Sequence, residues 1–470
     1  MRNARRRAPF RFALPESSSA DRSPPNARIH ALRFTLALLA TIALGTGLLL
    51  LPWSANPGRT TAPVDALFTA VSAAAVTGLV VVDTADHWSR FGQAVILALM
   101  QIGGLGFAVG ASLLLQMLRR GPNASLRDQL LMRDGAPALS LREAILLSGR
   151  IVRYTLVVEG IGALLLTWRF ASEMPLPEAA WRGLFHAVAA FCNAGFDLQG
   201  RFLSIIPYQT SVSVNLVLMA LIQAGALGYV VASDVWRCRQ WRSLPLDTKL
   251  VLGVNALLLV AAAVTFLAVE WTNSLAAVPT TARPLAALFQ SVAARTAGFA
   301  SVNWGEADAV TLFVWVGVMM VGGASGSTAG GVKLTTIGVI AAAIAAAVAG
   351  RSEAQLFGRR LATALVYRSL AIVAIFGAFH FAASALLAIT EDLVGGRGTP
   401  FIALMFEAMS ALATVGLSTG ITPGLTTAGK IVLCLAMFAG RLGPLTIAYA
   451  LQRHQRPARY RFPEEPVRIG

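Results

Sequence analysis

Apolar residues in this chain come in long blocks, not in the alternation of a half-buried strand. The blocks fall in threes. A run long enough to cross about 30 Å of hydrocarbon is followed by a run of about half that length, and then by another long one. The first set is Leu32–Leu51, Pro63–Thr77 and Phe91–Leu118. It recurs as Ala144–Trp168, Pro177–Asn193 and Ser211–Trp236, then as Leu250–Trp271, Arg283–Thr296 and Val310–Ala349. The last set is Leu361–Thr390, Pro400–Thr414 and Thr427–Gln452. The pattern predicts an all-α membrane protein of four units, each a span, a re-entrant half-helix and a span. That makes eight transmembrane helices and four half-helices. The expected divisions are a basic tail over 1–31, repeats over 32–118, 119–236, 237–349 and 350–452, and a tail over 453–470.

Composition agrees. The chain is 56% hydrophobic and 13% charged, against about 25% charged in soluble domains. Its formal charge of +16 would suggest nucleic acid in a soluble protein, but basic loops on one side of a bilayer set topology instead. Of the 39 Lys and Arg residues, 28 fall in the N-terminal tail, the 119–153, 236–249 and 351–368 connections and the tail after 452. The positive-inside rule then places both termini and the inter-unit loops in the cytoplasm. No nucleic-acid partner is expected, and the basic tail could meet either a protein or anionic lipid. Cys192, Cys238 and Cys434 form no CxxC pair, so neither a disulfide framework nor a zinc site is indicated.

The four short runs share a motif: FTAVSAAAVTGL from Phe68, FHAVAAFCNAGF from Phe185, FQSVAARTAGF from Phe289 and FEAMSALATVGL from Phe406. Each starts at Phe and ends at a glycine before an apolar residue. The glycines, Gly78, Gly195, Gly298 and Gly416, are spaced by 117, 103 and 118 residues, and the third copy is one residue shorter. One such glycine alone would read as a close helix contact. Four at matching positions point to loops at membrane depth, which must be buried in protein or line a cavity. Half-helices running inward from outside would aim their negative C-terminal ends at a shared axis, favouring a cation. Glycines at φ > 0 would let carbonyls replace a cation's water shell. The candidate ion-binding residues are Ala75, Val76, Thr77 and Gly78; Cys192, Asn193, Ala194 and Gly195; Arg295, Thr296, Ala297 and Gly298; and Ala413, Thr414, Val415 and Gly416.

Val310–Ala349 is too long for one straight crossing, and its centre, GGASGSTAGG, is a poor helix former. The expected structure is a helix broken inside the membrane, with a loop of Gly322, Gly323, Ala324, Ser325, Gly326, Ser327, Thr328, Ala329, Gly330 and Gly331 below the half-helices. Ser325, Ser327 and Thr328 can satisfy the freed backbone groups. A phosphate-binding loop fails on spacing, because Val332 separates Gly331 from Lys333.

Intramembrane charges are functional candidates. Arg441, mid-way along the last span, can repel a second cation or hold the broken-helix loop. Lys333 ends that loop and is either part of it or a snorkelling side chain. Glu159 sits in a span with Arg153 as a nearby base. Glu407 reads as a cap or structural partner, Arg295 as a structural hydrogen-bond donor, and His186 as interfacial. No His, Asp or Glu cluster indicates an enzyme.

These motifs resemble the Trk/Ktr/HKT potassium transport superfamily, and the Ktr-type membrane subunit within it. The residues carrying the resemblance are VTGLVVVDT at Val76–Thr84, FCNAGF, ARTAGF, TVGLSTG at Thr414–Gly420 and GGASGSTAGGVK at Gly322–Lys333. The likeness spans roughly 32–452. It implies four M1–P-loop–M2 repeats around a central pore, a selectivity filter at the four glycines and a gate at Gly322–Gly331 with Lys333 and Arg441. Ala75 departs from the Thr often found there. It also implies potassium as the transported ion, with sodium dependence in some members, a homodimer, and a cytoplasmic nucleotide-binding ring of RCK type. No cofactor is expected in the chain. A secondary transporter with broken helices, coupling sodium or protons to another solute, is the alternative.

Overall fold

The computed structural model describes residues 27–119, 141–351, 353–396 and 398–443. Most of the two basic tails, the 120–140 stretch and the end of the last span lie outside these residues. The chain begins with α1 (Ala27–Leu49), α2 (Pro63–Ala74), the single turn α3 (Thr84–His87) and α4 (Arg90–Arg119). Next come α5 (Leu141–Phe170), α6 (Leu176–Phe191) and α7 (Val212–Cys238). They are followed by α8 (Leu246–Val269), α9 (Arg283–Ala293), α10 (Ala309–Met320) and α11 (Leu334–Val348). The last set is α12 (Thr363–Ala388), extended by a π turn through Val394, α13 (Phe401–Leu412) and α14 (Thr427–Leu442). The strand content among the described residues is one pair, Gln355–Leu356 against Arg359–Arg360. Four helices there are long and apolar enough to cross a bilayer by length and composition.

The four short helices start for a common reason. Pro63, Pro177 and Pro284 stand in the first turn, and Pro400 immediately precedes α13. At that place the missing N–H leaves no broken bond, and the fixed φ suits a helix start. Each helix stays inside protein: Phe68, Phe185, Phe289 and Phe406 are all fully buried. Charged contacts fix neighbouring units at the N-terminal ends of the short helices. Asp65 in the first turn of α2 pairs with Lys430 of α14 at 2.8 Å. Glu178 in the first turn of α6 likewise pairs with Arg90 of α4. An acid in a first turn also suits the helix dipole. Between the third and fourth units, Phe406 packs on Trp304 with ring centres 5.3 Å apart, and Trp304 packs on Trp315 at 5.5 Å.

The structure departs from the expectation of a continuous Ser211–Trp236 helix. Gly228 takes φ 72°, ψ 171° inside α7 and breaks it. The break falls within a second sequence echo. Gly103–Gly106, Gly225–Gly228, Gly323–Gly326 and Gly440–Gly443 each hold two glycines three residues apart, at matching places in the second span of each unit. The later glycine has positive φ at Gly228, Gly326 and Gly443, while α4 continues through Gly106. The earlier glycine lets the span touch its own short helix. A side chain on Gly103, Gly225 or Gly440 would collide with the carbonyl of Ala74, Phe191 or Leu412, the last residue of α2, α6 or α13.

Candidate functional site

The four short helices end at one junction. Ala75, Cys192 and Ala413 are their C-caps, each donating its N–H four residues back. In the third copy the C-cap is Ala294, and Arg295 follows it. The shorter third motif accounts for this. Thr77, Ala194 and Val415 donate to carbonyls five residues back, those of Ser72, Ala189 and Ser410, at 2.7–2.8 Å. Ala297 reaches back only four, to Ala293 at 2.9 Å. All four loops then adopt the same reversal. Val76, Asn193, Thr296 and Thr414 have φ of 52–60°, and Gly78, Gly195, Gly298 and Gly416 have φ of 68–94°. Left-handed backbone at β-branched residues is strained by about 1–3 kcal/mol each and persists only where the surroundings impose it.

The glycines close a ring in chain order. A Cβ on Gly78 would meet the carbonyl oxygen of Ala194, and one on Gly195 that of Ala297. Gly298 faces that of Val415 in the same way, and Gly416 that of Thr77. All four approaches are inside 3.0 Å, closer than real Cβ atoms come. Ser72 and Ser410 hold the first and fourth glycines by accepting their N–H groups at 3.1 and 3.0 Å. The hydroxyls of Thr77, Thr296 and Thr414 are buried at this junction without a hydrogen-bond partner among the described residues.

Below the junction lies the 321–333 loop between α10 and α11. Its neck is zipped by Gly322 N–H to Val332 O and Val332 N–H to Met320 O, both 2.9 Å. The break in α7 supplies its next anchors. Ala324 N–H donates to Ala226 O at 2.8 Å and Thr328 N–H to Gly225 O at 3.3 Å. Thr328 Oγ1 also reaches Asn193 Oδ1 at 2.9 Å and Phe191 O at 3.2 Å, beneath the second loop. On the opposite side Gly330 packs against Ala413 O and the Thr414 hydroxyl, with no room for a side chain. Ser327 Oγ donates to Ala324 O at 2.7 Å, and Ser325 Oγ meets Thr335 Oγ1 at 3.3 Å. Gly326 and Gly331 turn the chain at φ 80° and 60°, and Gly323 sits against Ala226 O. Lys333 Nζ curls back to Ala329 O at 2.7 Å, so it belongs to the loop and does not snorkel.

Arg441 is 1% exposed and ties three units together. Its Nη1 donates to Thr328 O and its Nη2 to Gly103 O of α4, each at 2.7 Å. The contacts continue upward from Thr328 to Asn193, whose Nδ2 donates to Arg295 O at 3.0 Å.

Several side chains sit differently from the sequence expectation. The Arg295 guanidinium was expected to donate structural hydrogen bonds. It is buried, and none of its three nitrogens finds a partner among the described residues; the bonded group is its backbone carbonyl. Glu159 meets Gln101 Nε2 at 3.1 Å and the Cys192 thiol at 3.6 Å rather than Arg153. His186 is buried rather than interfacial, with Nδ1 2.7 Å from Arg182 O and Nε2 accepting from Leu198 N–H at 3.4 Å. Glu407, read as a cap or a structural partner, is no cap: it lies well inside α13, and as a structural partner its carboxylate accepts from Ser418, Thr419 and Thr422 of the chain that leaves its own loop. His186, Gln290 and Glu407 all directly follow the motif Phe, and all three brace the chain leaving the loop; Gln290 does so through Ser301 and Trp304. This bracing position was readable as a polar residue in an apolar motif.

Among the described residues, no group of three His, Cys, Asp or Glu side chains could hold a metal ion.

Four glycine loops at the ends of four buried half-helices, over a loop that interrupts a span, define a membrane transport protein. The chain belongs to the TrkH family of cation transport proteins, which matches residues 13–457, and within it to the Ktr-type membrane subunits. It is 37% identical over 433 residues to the potassium/sodium uptake protein NtpJ of Enterococcus hirae, covering 91% of this chain and 94% of that one. It is 36% identical to Ktr system potassium uptake protein B of Bacillus subtilis, covering 93% and 95%, and of Vibrio alginolyticus, covering 98% of each. The crystal structure of the potassium transporter TrkH from Vibrio parahaemolyticus shares the fold, with a TM-score of 0.70 at 18% identity over 90% of this chain and 85% of that one.

Proposed function

We propose that this protein is the potassium-translocating membrane subunit of a Trk/Ktr-type uptake system. Ions pass through a filter built from Ala75–Gly78, Cys192–Gly195, Arg295–Gly298 and Ala413–Gly416. The 321–333 loop, held by Lys333 and Arg441, is the gate. The observation that carries this reading is the head-to-tail ring of glycines, each packed against the carbonyl that precedes the next. Left-handed backbone at all four loops, strained at the β-branched Val76, Thr296 and Thr414, with three hydroxyls unpartnered among the described residues, suits a site that replaces a hydration shell with oxygens. The apolar blocks support eight spans, and the distribution of basic residues supports both termini in the cytoplasm. The names of the relatives favour potassium, and one of them also names sodium; in our reading sodium couples or activates. The word system in the names of the Ktr relatives supports a membrane subunit that works with other components, and we take these to be a second copy of the chain and a cytoplasmic nucleotide-binding ring of RCK type.

The test is rubidium uptake into proteoliposomes, comparing wild type with Gly298→Asp and a deletion of Gly322–Gly331. Potassium-competed uptake that Gly298→Asp abolishes and the deletion raises is expected. Absence of uptake under any monovalent cation gradient, with and without an RCK-type ring, would overturn it in favour of a broken-helix transporter of another solute.

A further inference from the structure

The break in α7 has two faces. One holds the 321–333 loop through the carbonyls of Gly225 and Ala226. The other lines an open groove of about 670 Å³ between α5, α7 and α8. Tyr154, Leu227, Val231 and Leu252 line its length, and Trp236 and Arg239 stand at its end. Tyr154 also touches the break directly, donating its hydroxyl to Ala224 O at 3.2 Å.

The groove is apolar along its walls and cationic at one end. Arg239 caps α7 in a left-handed conformation, φ 51°, and its side chain is exposed. It has no carboxylate partner among the described residues. Asp234, five residues before it, is instead bonded by Thr248 Oγ1 at 2.6 Å. Trp236 is 77% exposed and Trp241 50%, as befits rings at a membrane–water boundary. The groove ends at the basic 237–249 connection, which the topology above puts on the cytoplasmic face. An apolar groove ended by an exposed guanidinium without a carboxylate partner among the described residues suits a lipid with a negative phosphate.

We propose that this groove holds one anionic phospholipid, its acyl chains along Tyr154, Leu227, Val231 and Leu252 and its phosphate at Arg239, and that its presence sets the position of the 321–333 loop. The coupling runs through residues 224–227, whose backbone anchors the loop and whose outer face packs the lipid. The binding claim stands on the groove alone; the coupling claim rests on the transport reading.

The probe is phosphatidylglycerol against phosphatidylcholine. Native mass spectrometry of the purified full-length protein counts retained lipid, and rubidium uptake is measured with and without phosphatidylglycerol in the liposomes. The variants are Arg239→Gln, which removes the charge, Leu252→Trp, which fills the groove from the α8 side, and Arg237→Gln as a control. Wild type and Arg237→Gln should retain one phosphatidylglycerol in preference to phosphatidylcholine. Arg239→Gln should lose about fivefold of that preference, the value of one basic residue at an anionic surface. Leu252→Trp should retain neither lipid. Uptake should rise several-fold with phosphatidylglycerol in wild type and not in Arg239→Gln. Equal retention of both lipids by wild type overturns the binding claim. So does a change of oligomeric state in Leu252→Trp, since a second copy of the chain would then occupy the groove. Selective binding with lipid-independent uptake overturns the coupling alone. Absence of uptake in every lipid indicts the transport reading and leaves the binding result standing.

Discussion

Arg441 Nη1 donates to the carbonyl of Thr328 at 2.7 Å, joining the last described helix to the loop that interrupts the third unit. The other arm of the same guanidinium holds Gly103 of α4. One planar fork therefore pins the loop to a wall formed by a different unit, and a charged donor bond of this kind is worth about 1.5–3 kcal/mol.

Arg441→Gln should release the loop and raise rubidium uptake by roughly tenfold, the equivalent of about 1.4 kcal/mol. Arg441→Lys should fall between, because an ammonium cannot span two carbonyls as a fork does. Uptake in folded Arg441→Gln equal to wild type would show that the contact does not restrain the path.

Gly416 and Gly58 separate collision from backbone strain. Both have positive φ, 93° and 80°, but a Cβ on Gly416 would strike Thr77 O while one on Gly58 meets nothing within 4 Å. Gly58→Ala carries only the left-handed cost of about 1–2 kcal/mol in a surface loop and should transport normally. Gly416→Ala adds overpacking against backbone and should lose about a hundredfold in uptake. Similar behaviour of the two variants in a flux assay would argue against a tight ring.

Much of this arrangement was legible in the chain. The Phe-to-Gly motif located all four short helices and their loops, and GGASGSTAGG located the break between α10 and α11. The single-residue deletion in the third motif was visible, and it emerges as a four-residue rather than five-residue backbone return at Ala297. The break at Gly228 was not read, because AGALGYVVAS is apolar enough to pass as helix and its G-x-x-G echo is short. Partners across the fold were also out of reach. Holding the broken-helix loop was one of two roles the sequence offered for Arg441, but its acceptor, Thr328 O, was not readable, nor was the meeting of Glu159 with Cys192, since those contacts depend on how units pack around the junction.

Glu407 tests the bracing position. Its carboxylate accepts from the hydroxyls of Ser418, Thr419 and Thr422 and from the Thr419 N–H. Glu407→Ala strands these donors and should cost about 2–4 kcal/mol, seen as a lower Tm in detergent. Glu407→Gln keeps an acceptor oxygen and should recover about half of that loss. Unchanged Tm in Glu407→Ala would contradict the bracing role.

Asp197 gives the proposed filter a pH test. It lies two residues past Gly195, in the connection between α6 and α7. Burial pushes its carboxyl up to about 7; the Gln199 N–H opposes this, and the charges of Asp83 and Asp86 add to it. Below that pH the group is protonated, and above it the mouth gains a negative charge. Apparent affinity for rubidium should therefore improve about twofold as external pH rises through 7, the effect of one charge about 10 Å away in water. Asp197→Asn should flatten this profile. The raised value also means that this group's contribution to stability is lost as pH rises from 3.8 through about 7. A profile in Asp197→Asn identical to wild type would assign the dependence elsewhere.

The most direct test of the four-loop filter is anomalous diffraction from crystals grown in rubidium. An anomalous peak on the axis of the ring formed by Gly78, Gly195, Gly298 and Gly416, abolished by excess potassium, is the predicted result. A peak confined to the acidic mouth at Asp83, Asp86 and Asp197, with none at the ring, would contradict the account.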